Sequence, residues 1–163
     1  MVYSGCRYRR ALARCRMSQL LALTIPGRPR PQGSMKTFAV KGRSMARHSD
    51  STLSHRAHLI STIAAEWDRE PFRDAVELTV SFHFARPKSH FRTGRNAHLL
   101  KDTAPKRHTQ PPDVDKLIRL VGDALEMAGV IANDSQIVFG EMSKWWSNID
   151  STHLRLVGTD SDD

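Results

Sequence analysis

Cysteine is scarce in this sequence of 163 residues, and the little there is lies at one end. The two cysteines, Cys6 and Cys15, both fall within the first sixteen residues, so no disulfide can cross-link the rest of the chain. Secreted domains that depend on disulfides are thereby excluded, and the composition is typical of a protein kept in a reducing compartment. We therefore expect a cytoplasmic location.

Long apolar runs are also missing. No segment approaches the run of about 20 apolar residues that a membrane-spanning helix needs, so we expect no membrane partner. The opening residues, MVYSGCRYRRALARCRM, carry five arginines and no acid, and they lack the apolar core of a signal peptide. We interpret residues 1–16 as a basic N-terminal extension, either a disordered arm or a mis-assigned start before Met17.

Several common catalytic motifs are absent. The sequence has no Gly-rich phosphate loop, no Ser nucleophile motif and no paired Cys-x-x-Cys motif. His55 and His58 are three residues apart on a predicted helix, but no third ligand follows at a matching spacing. We interpret these two histidines as helix surface.

Positive charge is plentiful and unevenly distributed. Residues 1–110 hold 21 of the 25 Lys and Arg but 7 of the 17 Asp and Glu, whereas residues 111–163 hold 4 bases and 10 acids. A basic surface of this kind favours a polyanionic partner, with nucleic acid first. Clustered carboxylates in the second part could hold a cation.

The pattern of apolar residues predicts a single α/β (α+β) domain, a small mixed β-sheet packed with two main helices. Residues 75–84 alternate strictly between apolar and polar, which is the clearest strand signal in the chain. The first helix is predicted from apolar residues at steps of four and three, namely Leu53, Ala57, Ile60, Ala64 and Trp67. The predicted strands are 20–25, 75–84, 136–142 and 152–157, with 38–40 as a candidate hairpin partner of the first, and the predicted helices are 51–68 and 115–128.

The last two strands are close enough in sequence to form a hairpin. Residues 17–158 would form the domain, and 159–163 an acidic tail. Between the second strand and the second helix, residues 85–112 form a long basic loop with seven bases and one acid. A loop of that length is usually functional or disordered, so a DNA contact and a solvated flexible loop both stay open.

Two aspartates, Asp113 and Asp115, lie at the start of the second predicted helix, just after two prolines. One aspartate there is explained by capping, but two exceed what capping needs. Asp134 falls on a turn beyond the helix and can join the pair only if the chain doubles back over the helix. Carboxylates held together suit Mg²⁺ or Mn²⁺. The spacing alone leaves a metal site and capping plus turn chemistry both open.

The whole stretch PPDVDKLIRLVGDALEMAGVIANDSQI resembles the signature of the RusA-type Holliday junction resolvases. An Asp-x-Asp opens a helix that contains Asp-Ala-Leu, a Gly follows the helix, and an Asn-Asp-x-Gln turn precedes a strand. The match runs from Pro112 to Ile137 without a gap. The early TIPGRPRPQGS is also similar to the start of these proteins, while residues 26–110 align loosely.

The resemblance implies that Asp113, Asp115 and Asp134 bind a divalent metal, with Mg²⁺ as the expected ion and Mn²⁺ as an alternative. The family commonly has a catalytic lysine one helical turn after the second aspartate, and this chain has Arg119 there. Arginine can hold a phosphate at two points but is a poor proton donor. Pairing of Arg119 with Asp123 is the alternative.

The resemblance further implies a homodimer that makes paired symmetric nicks in a four-way DNA junction, in a bacterial host cell and with a phage or prophage origin. Phe91, between two basic residues of the long loop, is a candidate wedge against an exposed base. Trp145 and Trp146 are interpreted as core or dimer packing. The candidate DNA-binding residues are Lys116 and the loop bases Arg86, Lys88, Arg92, Arg95, Lys101, Lys106 and Arg107.

Two other functions remain open. The first is a catalytically inactive junction-binding protein in which Arg119 replaces a necessary group. The second is a metal-dependent phosphotransfer or sugar-nucleotide enzyme that uses the Asp-x-Asp pair, although it leaves the basic excess unexplained.

Overall fold

A computed structural model describes residues 16–32, 36–40, 43–47 and 50–160. Both cysteines, almost all of the basic N-terminal extension and the last three residues of the acidic tail lie outside the described residues. Short 3₁₀ turns at Lys88–His90, Gly94–Asn96 and Asp134–Gln136 accompany the main elements. In chain order these are β1 (Arg16–Pro26), β2 (Lys36–Val40), β3 (Arg43–Arg47), α1 (Asp50–Ala65), β4 (Val76–Ala85), α2 (Val114–Met127), β5 (Ile137–Ser147) and β6 (Ser151–Asp160).

The main sheet has four strands in the order β1-β6-β4-β5. β4 pairs parallel with β5 and antiparallel with β6, while β6 pairs antiparallel with β1. A mixed sheet packed with two helices confirms the predicted fold class. The strict alternation along β4 is confirmed as well, because its apolar side chains are at most 1% exposed: Val76, Leu78, Val80, Phe82 and Phe84.

Two predictions of strand pairing are wrong. β5 and β6 do not form a hairpin, since β4 lies between them. The three residues that join them pass over the end of β4, where the Asp150 carboxylate accepts a hydrogen bond from the amide of Ala85 at 2.8 Å. The strand at 38–40 does not pair with β1 either, because β2 pairs with β3 in a separate two-stranded sheet.

The helices cover one face of the main sheet. The predicted stripe of α2 is confirmed, with its apolar side chains buried at Leu117, Leu120, Val121, Ala124 and Leu125. The predicted face of α1 is only partly right. Ile60 and Trp67 pack against the core, but the buried side chains are Leu59 and Ile63, and Leu53 is 43% exposed. Two large aliphatic side chains four residues apart bury more apolar area than a stripe that includes two alanines.

β1, β4 and β5 all run in the same direction, so they end at one edge of the sheet. We call this the carboxyl edge, defined by Pro26, Ala85 and Ser147. The segments that follow β1 and β4 therefore lie at the carboxyl edge, and so does the start of α2. In open α/β sheets this is the edge at which ligands usually bind.

Candidate active site and nucleic-acid interface

The start of α2 carries two of the candidate carboxylates. Asp113 is the N-cap residue, with φ −67° and ψ 141°, yet its side chain makes no capping hydrogen bond. Asp115 lies in the first turn, and both aspartates are exposed. Capping therefore does not account for Asp113, and oxygens of both carboxylates face solvent at the carboxyl edge.

Lys116 is the direct partner of Asp113. Its Nζ donates to the Asp113 carboxylate at 2.8 Å. This hydrogen bond and the charge of Lys116, followed by the charge of Lys144, hold the pKa of Asp113 below its ordinary value. The same pair raises the pKa of Lys116. An exposed aspartate is ionised at neutral pH in any case, and Lys116 extends that ionisation to lower pH, which suits a metal-binding carboxylate.

Lys144 is a basic residue of the site that the sequence did not single out. From β5, its Nζ donates to the carbonyl oxygens of Gln110 at 2.8 Å and of Pro112 at 2.7 Å. These carbonyls belong to the segment that leads into Asp113. No local pattern reveals this contact, because Lys144 and Pro112 are 32 residues apart.

The loop after β1 also reaches α2. The backbone amide of Gln32 donates to the carbonyl of Lys116 at 3.1 Å, and its side-chain nitrogen donates to the Asp123 carboxylate at 2.6 Å. Arg56 of α1 lies 3.8 Å from the same carboxylate. Asp123 is thus engaged by Gln32 and Arg56.

Arg119 is exposed and lies one helical turn after Asp115, on the same side of α2. Among the described salt bridges, the partner of Asp123 is Arg56, not Arg119. The predicted alternative, a salt bridge between Arg119 and Asp123, is therefore not found among the described residues. Arg119 is therefore an exposed base on the first two turns of α2.

Asp134 does not join this pair within one chain. It begins the 3₁₀ turn after α2, and its backbone amide donates to the Glu126 carboxylate in the last turn of α2, at 3.2 Å. A helix of 14 residues is about 20 Å long, so Asp134 and Asp113 lie at opposite ends of α2. Among the described residues, no group of three His, Cys, Asp or Glu side chains could hold a metal ion.

The long basic loop makes backbone contacts within itself and with β5. Phe91 and Leu100 form an isolated antiparallel β-bridge within the loop, and Arg107 forms another with Trp145 of β5. His108 is 4% exposed and stacks on Phe84, with ring centroids 4.0 Å apart. Trp146 packs against the core, which is one of the two roles, core packing or dimer packing, predicted for it from the sequence.

Three of the loop bases have partners within the chain. Arg86 donates to the carbonyl of Pro105, Arg92 pairs with Asp102 at 2.9 Å, and the Arg107 guanidinium lies 3.7 Å from the centroid of the Trp145 ring. The other four are exposed on the loop surface: Lys88, Arg95, Lys101 and Lys106. These four bases lie on the loop that follows β4 from the carboxyl edge, while Lys116 contacts Asp113 itself and Lys144 contacts the segment before it.

None of the helices in the described part of the chain is long and apolar enough to cross a membrane. The family model described as Endodeoxyribonuclease RusA matches residues 26–156. No curated protein matches the chain. The matched range contains β4, α2 and β5, together with all of the candidate site residues.

Proposed function

Because the chain belongs to the RusA endodeoxyribonuclease family, we propose that it is a metal-dependent resolvase that makes paired symmetric nicks in branched DNA. Members of the family are endodeoxyribonucleases that act on Holliday junctions, and membership therefore supports an endodeoxyribonuclease activity for this protein. The observation that carries the proposal is the exposed pair Asp113 and Asp115, set within a basic surface. Carboxylates on such a surface could bind a metal ion that in turn contacts a phosphate of the DNA.

Mg²⁺ fits the donor set at the start of α2, and Mn²⁺ is the alternative ion. Mg²⁺ commonly takes one or two carboxylates together with water and substrate phosphate, and Asp113 and Asp115 supply two oxygen donors. When bound, the ion would supply Lewis-acid stabilisation of the attacked phosphate and lower the pKa of water. The chain's own contribution is to hold the Asp113 carboxylate through the hydrogen bond from Lys116 and to offer Arg119 to a phosphate.

We further propose a homodimer in which each site takes its third carboxylate, Asp134, from the other copy. The separation of Asp134 and Asp113 along α2 supports this arrangement. Apolar side chains on β5 support it too, since Val138 is 64% exposed, Phe139 53% and Met142 40%. β5 is an edge strand of the main sheet, and a long exposed apolar edge is a template for pairing with another chain.

The direction of β5 makes the exchange geometrically consistent. In an antiparallel pair of β5 strands about a two-fold axis near Gly140, the start of one strand lies beside the end of the other. Position 134 of one copy would then fall near positions 144–147 of its partner. That is where Lys144 contacts Pro112, directly before Asp113.

A single substitution tests the nuclease proposal. We expect Asp115→Asn to abolish nicking of a synthetic four-way junction in Mg²⁺ while junction binding in EDTA is nearly unchanged. Parent-like cutting by this variant would show that the site is elsewhere. Binding without cutting by the unmodified protein, in Mg²⁺ and in Mn²⁺, would favour the inactive junction-binding protein that Arg119 suggests.

Subunit mixing tests the shared site. Asp115→Asn and Asp134→Asn chains are each expected to be inactive alone, but a mixed dimer would hold one site with both residues intact. Co-refolding equal amounts is expected to restore about one quarter of the parent's nicking, as single nicks, because half of the dimers are mixed. No recovery from folded, mixed dimers would mean that the two residues do not act across the interface.

A further inference from the structure

A basic cavity opens beside the carboxyl edge, between the loop after β1 and the start of α1. Its volume is about 330 Å³, and it is lined by Arg28, Arg30, Ser54, His55 and His58. We use the name basic cavity for this set. Ligand pockets commonly measure about 300 to 1,000 Å³, so the basic cavity is large enough for a small anionic group.

The lining of the basic cavity offers hydrogen-bond donors and positive charge but no carboxylate. Arg28 and Arg30 are exposed on either side of buried Pro29, which fixes the short segment that presents them. Guanidinium groups hold phosphate oxygens at two points. A cation would find no complementary charge among these five residues.

The two histidines are oriented by the backbone of the same loop. The amide of Arg30 donates to Nε2 of His55 at 3.4 Å, which leaves the proton of a neutral His55 ring on Nδ1. Nε2 of His58 lies 3.1 Å from the carbonyl oxygen of Pro26 and donates to it. His55 therefore keeps one ring N–H as a donor for a ligand.

We propose that the basic cavity binds a backbone phosphodiester of the DNA strand that enters the site at Asp113 and Asp115. This inference rests on the proposed function and adds a phosphate site from the N-terminal part of the chain. A phosphate contact sets the register of the strand without reading its sequence.

A backbone contact joins the loop of the basic cavity to the start of α2. The amide of Gln32, two residues after Arg30, donates to the carbonyl of Lys116 at 3.1 Å. Lys116 in turn donates to the Asp113 carboxylate. A strand held by this loop would therefore lie on the side of the molecule where α2 begins.

The salt dependence of junction binding tests the phosphate site. In EDTA, each phosphate contact contributes about 0.9 to the slope of log affinity against log salt concentration. We expect Arg28→Gln with Arg30→Gln to lower that slope by about one and to weaken binding equally for junctions of different sequence. His55→Gln removes the ring N–H but leaves a side-chain oxygen that can accept from the Arg30 amide, and it is expected to weaken binding in the same direction.

Arg155→Gln is the matched control. Arg155 is exposed on β6 between the buried Leu154 and Leu156, so its side chain points away from the helices and the basic cavity. For the Arg155→Gln variant, the slope of log affinity against log salt concentration should equal that of the parent. If the double variant is folded and also keeps the parental slope, the phosphate site is wrong, whereas a parent that neither binds nor cuts a junction would count against the proposed function itself.

A second inference concerns Lys144 and the segment that precedes Asp113. Pro111 and Pro112 have no amide hydrogen, so this segment cannot hold itself by backbone donors. The half-buried ammonium of Lys144 supplies donors to the carbonyls on either side of Pro111, at Gln110 and Pro112. We infer that Lys144 is a positioning residue that sets the orientation of the Asp113 carboxylate toward the metal.

Metal binding tests this role. Lys144→Met keeps the length of the side chain and removes its donors, and Lys144→Arg restores donors. We expect Lys144→Met to bind Mn²⁺ about tenfold more weakly, measured by the paramagnetic signal of free Mn²⁺. The metal concentration for half-maximal nicking should rise to match, while the rate at saturating metal stays near that of the parent.

Lys144→Arg should recover most of the affinity, and Arg155→Gln should not change it. Parental Mn²⁺ affinity in a folded Lys144→Met chain would overturn the positioning role. That result would leave the nuclease proposal intact, since the parent's own nicking is measured separately.

Discussion

The side-chain nitrogen of Gln32 lies 2.6 Å from the carboxylate of Asp123, and this contact joins the loop after β1 to the helix that begins at the candidate site. The backbone of Gln32 also donates to the carbonyl of Lys116. One residue thus holds the proline-rich loop at two points along α2. The loop carries Arg28 and Arg30, so its attachment places these arginines relative to Asp113.

We expect Gln32→Ala to lower the free energy of unfolding by about 1 to 2 kcal/mol, because the hydrogen bond is to a charged, partly buried acceptor. Urea denaturation measures the change. Gln19→Ala, on an exposed position of β1, should change stability far less. Equal losses in both variants would contradict the specific role of the contact with Asp123.

Local patterns predicted the elements that carry the chemistry. The alternation of β4 and the apolar stripe of α2 are properties of one segment each, and both elements are found within one or two residues of their predicted bounds. Asp113 and Asp115 lie at the helix start that the sequence predicts, as the N-cap residue and in the first turn, but their place at the carboxyl edge depends on the sheet.

Contacts between distant segments could not be predicted in the same way. The hydrogen bond from Lys144 to the carbonyl of Pro112 joins a strand to a loop that is distant in sequence. The pairing of β6 with β4 rather than with β5 depends on the order of all four strands in the sheet. The place of Asp134 depends on the direction in which the chain leaves α2. Each of these is set by tertiary packing, which a periodicity of side chains does not encode.

Gly158 on β6 leaves no room for a side chain. A methyl group there would lie 2.7 Å from Cζ of Phe72 and 3.2 Å from Cδ1 of Leu20. We expect Gly158→Ala to destabilise the fold by about 1 to 3 kcal/mol through overpacking. Phe72→Leu in the same chain should recover part of the loss if the ring is the obstacle.

Gly122 in α2 is the matched control for Gly158→Ala. Its added methyl group would meet only Cδ1 of Ile137, at an ordinary contact of 3.6 Å. Alanine has the higher helix propensity, so Gly122→Ala should stabilise the fold by up to about 1 kcal/mol. Thermal unfolding of the two variants should therefore shift in opposite directions.

His108 makes stability depend on pH. Burial, and then the charge of Lys144, lower its pKa in the folded protein below the ordinary value of 6.5. As pH falls, the unfolded chain takes up this proton first, so the free energy of unfolding falls between the ordinary pKa and the lower folded one. The full contribution of the neutral ring is present above that window.

We expect His108→Gln to flatten the fall in stability from about pH 7 to pH 5, where one group contributes at most about 1.4 kcal/mol per pH unit. Urea denaturation at several pH values measures the slope. His98→Gln, on an exposed loop position, is the control and should keep the slope of the parent. An unchanged slope in His108→Gln would mean that the buried ring does not resist protonation.

Arg119 is expected to act as a phosphate clamp rather than as a proton donor. Its guanidinium stays charged at all working pH values and lies exposed on the same side of α2 as Asp115. Removing one group that stabilises developing charge typically lowers the rate of a chemical step about 10²- to 10³-fold, so Arg119→Ala should slow single-turnover nicking by about that factor. Arg119→Lys keeps the charge but has one ammonium in place of a planar fork, and we expect a loss of less than tenfold.

The pH profile distinguishes the two roles for Arg119. The charge of a clamp does not titrate in the working range, so the nicking rate of Arg119→Lys should be lower than the parent's but have the same pH dependence between about pH 6 and pH 9, well below the ordinary lysine pKa. If the group instead gives its proton to the leaving oxygen, Arg119→Lys should cut faster than the parent, because an ammonium is the better acid. A gain in rate on introducing lysine would therefore replace the clamp with general-acid catalysis, and parental nicking by Arg119→Ala would exclude both roles.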